Sequence, residues 1–141
     1  MKGSFKLGKI ADIGIFVHWT FSLLILFIIF INYRSGQNAT QIVWSVVFIL
    51  SIFITVVMHE LGHALAAKRY HIITKDITLL PIGGLARLEK IPEKPIEELV
   101  VAIAGPLVNI TLAFITGIFI TIPDTSERLM AELSNGVNAN N

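Results

Sequence analysis

Three long apolar stretches constrain this chain more than any other feature. They run from about Ile13 to Ile31, from about Ile42 to Ala67 and from about Leu99 to Ile122. A helix that crosses a bilayer needs about 20 mostly apolar residues, with a range of about 17–25. The expected fold is therefore an all-α membrane protein with three transmembrane helices, over about 13–31, 42–67 and 99–122, and a polar tail over 123–141. Composition agrees, because 15% of the 141 residues are charged, against about 25% in soluble domains. The first stretch is no cleaved signal peptide: Asn32-Tyr33-Arg34 follows it rather than a small-residue cleavage site.

Lys and Arg set the orientation of such a chain. Lys2, Lys6 and Lys9 precede the first stretch, and only Arg34 lies between the first and second. Six follow the second: Lys68, Arg69, Lys75, Arg87, Lys90 and Lys94; only Arg128 follows the third. The N-terminus and the Lys68–Lys94 loop are read as cytoplasmic, the Arg34 loop and the tail as outside. Within the cytoplasmic loop, Ile77–Leu80 and Leu85–Leu88 flank Gly83-Gly84. That pattern predicts a short β-hairpin between helices 2 and 3, apolar enough to lie against the membrane. Ile91–Glu98 reads as a connector.

The net charge of +1 offers no basic footprint for nucleic acid. There are no cysteines, so any metal must be held by His, Asp or Glu. The second stretch ends in Met58-His59-Glu60-Leu61-Gly62-His63, an H-E-x-x-H pattern. Residues four apart lie one above the other on a helix. His59 and His63 can therefore reach one Zn2+, and Glu60 can serve as general base towards a zinc-bound water. Ionisable residues within a span are costly and functional by default, and a metal offsets their desolvation. If Lys68 marks the cytoplasmic border, His63 lies roughly 8 Å inside it and His59 roughly 13 Å. The same rise puts Asn109 roughly 15 Å and His18 roughly 9 Å deep. The polar groups of all three helices thus fall in one slab.

Further motifs accompany these residues. They are Val17-His18-Trp19-Thr20-Phe21, Leu80-Pro81-Ile82-Gly83-Gly84 and Ala104-Gly105-Pro106-Leu107-Val108-Asn109. In this order the chain resembles the site-2 protease family of intramembrane zinc metalloproteases, peptidase family M50, in its bacterial and archaeal branch. The resemblance implies that His59 and His63 bind zinc and that Glu60 activates water. It implies that Asn109 lines the active site, that Gly83 and Gly84 of the hairpin help present an unwound substrate, and that His18 stands near the substrate. The partners it implies are the bilayer and a transmembrane protein substrate, with cleavage freeing a regulatory protein.

The family's third zinc ligand is an Asp in an N-x-x-P-x-x-P-x-D-G motif, which this sequence lacks. Asp124 emerges at the opposite face, and Asp76 and Glu89 reach the pair only if the hairpin folds inward. The expectation is that these 141 residues are the N-terminal part of a longer enzyme or a truncated product. Two function classes follow: an intramembrane zinc protease, or a non-catalytic membrane fragment with an incomplete metal site.

Overall fold

Residues 4–18 are organised by one tight turn. Ala11 and Asp12 both have left-handed backbones, φ 51° and 70°, the pattern of a two-residue type I′ hairpin. The turn joins β1 (Ser4–Ile10) to β2 (Ile13–His18) as an antiparallel pair. The computed structural model describes residues 3–90, 92 and 94–139, with side chains through residue 120. The remaining elements are α1 (Thr20–Arg34), α2 (Ala39–Arg69), β3 (Thr74–Leu80), β4 (Gly83–Leu88) and α3 (Pro95–Ala139). The chain divides into two units, Met1–Asn109 and Ile110–Asn141. The first holds the sheet, α1, α2 and the start of α3; the second holds the rest of α3.

The all-α expectation is corrected. A four-stranded sheet, in the order β1-β2-β3-β4, accompanies the helices. Residues 13–18, read as the start of the first span, form a strand rich in β-branched and aromatic side chains. β2 and β3 run parallel, Ile15 beside Ile77 and Val17 beside Leu79. Parallel neighbours need a long crossover, and α1 with α2 supplies it. The β3–β4 hairpin turns at Pro81-Ile82, with Leu80 opposite Gly83. Gly83 and Gly84 thus stand on β4 rather than at the tip. α3 begins at Pro95, inside the segment read as a connector, and continues to Ala139 through most of the segment read as a tail.

Among the described residues, two helices are long and apolar enough to cross a membrane, Ala39–Arg69 and Pro95–Ile120. At 1.5 Å per residue, α2 measures about 46 Å and α1 only about 22 Å, against a hydrocarbon core of about 30 Å. Phe48, Ile54 and Phe114 are among the large apolar side chains these helices leave exposed. Both ends of α2 are specified locally. Asn38 and Gln41 form a reciprocal capping box, 3.0 and 2.9 Å. At the other end His71 takes a left-handed backbone, φ 59°. The His71 N–H donates to the Lys68 carbonyl and the Ile72 N–H to that of Ala67, 3.1 and 3.0 Å. This is a Schellman stop with His where Gly is usual.

The sheet packs on the C-terminal half of α2. Ile13, Ile77, Leu61 and Ala64 form one buried cluster, with Val57 and Ala86 against it. Val57, Leu61 and Ala64 recur at helical spacing, so one stripe of α2 meets the sheet. A second cluster joins Ala67, Ile72 and Val101. Ile77 is completely buried. Ile77→Ala is expected to cost about 2–5 kcal/mol through lost transfer energy and the cavity left behind. Denaturant unfolding of the purified protein checks this, and an unchanged midpoint would contradict the packing described.

Candidate metal centre

The helix of α2 runs unbroken through Met58–His63, which sets the two imidazoles on one side. Their Nε2 atoms stand 3.0 Å apart, with the rings edge to face at 4.7 Å between centroids. The Nδ1 of His63 lies 2.7 Å from the Val101 carbonyl of α3. A carbonyl only accepts, so this nitrogen carries the hydrogen and donates. A neutral imidazole has one such hydrogen, which leaves the His63 Nε2 bare. The His59 Nε2 then donates to it. The His59 Nδ1 is buried with no hydrogen-bond partner among the described residues.

This arrangement fits a metal once the hydrogen of His59 moves from Nε2 to Nδ1, which leaves both Nε2 atoms bare. Two nitrogens bound to one tetrahedral zinc at about 2.0–2.1 Å would stand roughly 3.3 Å apart, close to the spacing observed. A ring nitrogen held by a carbonyl is also the usual outer partner of a ligating histidine, fixing which nitrogen faces the ion. Among the described residues the donor set stops at these two nitrogens. No group of three or more His, Asp or Glu residues able to hold a metal occurs among the described residues.

Two elements approach the motif, and each does so at a glycine. At Gly84 of β4, a Cβ would meet the Glu60 Cγ at 2.8 Å and the Val56 Cγ1 at 3.0 Å. Only a glycine lets this strand lie against the stem of Glu60. At Gly62 of α2, a Cβ would stand 2.8 Å from both the Ala104 carbonyl oxygen and the Val108 Cγ2. The missing side chain brings α3 close to α2, as small residues do between membrane helices. His63 is therefore met by α3 and the stem of Glu60 by β4, which is an edge of the sheet.

The other residues singled out in the sequence are placed differently. Asn109 is exposed on α3. It lies one turn beyond Gly105 and two beyond Val101, on the same helix face. Gly83 begins β4 with open space around it. His18 is not brought to the pair. Its Nδ1 lies 2.7 Å from the Thr20 hydroxyl, at the start of α1. Asp76 is buried and joined to Arg87 across the hairpin, Nε to Oδ1 at 2.8 Å and Nη2 to Oδ2. Hydrogen bonds from the guanidinium hold its carboxyl below the usual carboxylate range. It is thus engaged elsewhere, and Glu89 is exposed. The side chain of Asp124 lies outside the described residues. Sequence reading missed Val101, whose contribution is a backbone carbonyl and carries no side-chain signal.

A helix-borne histidine pair with an adjacent glutamate, framed by a second apolar helix and a sheet edge, defines a metallopeptidase-like centre. The family model described as Peptidase family M50 matches residues 47–137. A zinc metalloprotease of Methanocaldococcus jannaschii is 44% identical over 122 residues, which is 86% of this chain and 33% of that protein. Stage IV sporulation protein FB of Bacillus subtilis is 42% identical over 67 residues, 47% of this chain and 23% of that protein. Among solved structures, the site-2 protease from Methanocaldococcus jannaschii is 43% identical with a TM-score of 0.61, covering 86% of this chain and 51% of that one. The chain belongs to peptidase family M50, the site-2 protease family. It spans a third or less of these two protease and sporulation relatives and about half of the solved structure.

Proposed function

We propose that this chain is the zinc-binding core of an intramembrane metalloprotease that cleaves transmembrane segments of membrane-anchored regulatory proteins. The observation that carries the reading is the pair of Nε2 atoms at 3.0 Å, one of them bare because Val101 holds the other nitrogen of its ring. His59 and His63 hold the metal. Zinc bound there supplies a Lewis acid and brings the pKa of a water down to about 7.

The remaining chemistry belongs to the chain. The Glu60 carboxylate takes the proton of the attacking water and returns it to the leaving amine. Gly84 and Val56 flank its stem. The unpaired edge of β4 offers backbone donors and acceptors to an extended substrate. Gly83 and Gly84 act on that strand, and Asn109 of α3 and His18 before α1 act as further substrate contacts. The protein sits in the cell membrane as a multi-pass chain, with its N-terminus and zinc site towards the cytoplasm. The distribution of Lys and Arg supports this orientation.

Catalytic zinc sites use three protein ligands. The absence of a third among the described residues favours one other reading, a non-catalytic membrane segment that binds metal weakly. Zinc analysis of the purified chain tests the ligand assignment. The expected content is about one zinc per chain, lost in His59→Ala. Zinc content unaffected by that change would overturn the assignment.

A further inference from the structure

Helix α3 touches His63 at two points one turn apart. Val101 presents its carbonyl to Nδ1 at 2.7 Å. Gly105, four residues on, is buried. A Cβ there would overlap Nε2 and stand 2.5 Å from Cε1 and 2.7 Å from Cδ2 of the same ring. The imidazole therefore lies across the bare Cα of Gly105 while its far nitrogen is tied to Val101. We propose that Gly105 is a positioning residue for the metal ligand His63, forming with the Val101 carbonyl a two-point cradle that aims Nε2 at the ion. This rests on the zinc reading above.

Two features separate this role from simple packing. Glycine is a poor residue for a helix interior, so intrinsic helix stability argues against it at this position. The overlap falls on the reactive end of the ring, since Nε2 is the atom that faces His59. Gly117, in the same helix, has nothing within 4 Å of where a Cβ would sit. It shows what a Gly→Ala change does to α3 without a ring beside it. His59 lacks a comparable cradle, because its Nδ1 is buried without a hydrogen-bond partner among the described residues.

The test is zinc affinity of the purified full chain, measured by competition with a chelating dye, for the parent, Gly105→Ala and Gly117→Ala. Loss of an outer partner of a metal ligand typically costs about 10–100-fold in affinity. Gly105→Ala is expected to lose that much, and Gly117→Ala to match the parent. Parent-like affinity in Gly105→Ala would overturn the proposal. Should Gly105→Ala fail to fold, ¹⁵N spectra of histidine-labelled parent protein decide, with His63→Gln assigning the resonance. The cradle requires the hydrogen on Nδ1 of His63, and a hydrogen on Nε2 in the metal-free chain would refute it. A parent with no zinc binding dependent on His59 removes the zinc reading itself, and the proposal with it. The spectra still report separately on the ring's orientation.

Discussion

Glu60→Gln is expected to slow cleavage of a single-span substrate by about 10²–10⁴-fold, the usual contribution of a general base, while zinc binding persists. The substitution nearly preserves shape, so the contacts at Gly84 and Val56 are kept. What changes is proton affinity, because an amide cannot take the proton of the attacking water. His59, His63 and the Val101 carbonyl are untouched, so metal retention separates lost chemistry from a lost site. Cleavage is followed in membranes carrying the protein with a tagged substrate, and zinc is measured on the same preparations. A parental cleavage rate in Glu60→Gln would remove Glu60 from the mechanism.

Gly62→Val is expected to separate α3 from α2 and to weaken zinc binding as a consequence. A single Cβ at residue 62 already stands 2.8 Å from a backbone oxygen, that of Ala104, and 2.8 Å from the Val108 Cγ2. The Val108 side chain is stiff at χ1 within a helix and the carbonyl belongs to the helix backbone, so neither yields readily. Overpacking of this kind typically costs about 1–3 kcal/mol. The gain from replacing a helical glycine is below about 1 kcal/mol, so overpacking wins. The effect reaches the metal because Val101, one turn before Ala104, holds His63. Thermal unfolding in detergent, with a zinc titration beside it, checks both parts. A parental melting temperature would contradict the close approach of the two helices.

The acidic residues of the hairpin show how far residue type and spacing reach. Asp76 lay close enough in sequence to be weighed as a metal ligand. The β3–β4 register instead sets it opposite Arg87, and the pair satisfies itself across the strands. Register depends on the turn, and the turn sits at Pro81-Ile82 rather than at the glycine pair. The N-terminal segment is a similar case. A continuous apolar run cannot be told from a helix by periodicity alone, and Ala11-Asp12 is not a standard hairpin dipeptide. Pairing with β3, about sixty residues later in the chain, makes residues 13–18 a strand.

What the sequence determined by itself is local. Apolar runs long enough for membrane helices, the four-residue spacing that sets two imidazoles on one side of α2, and the Asn38 cap all follow from neighbours in the chain. Tertiary structure decided everything that joins distant segments. It placed α3 against His63, an edge strand against Glu60, and a strand over residues 13–18 where the first span was expected to begin. The physical reason is that these contacts rest on a backbone carbonyl and on side chains that glycines lack. Neither leaves a chemical signature until the chain has folded.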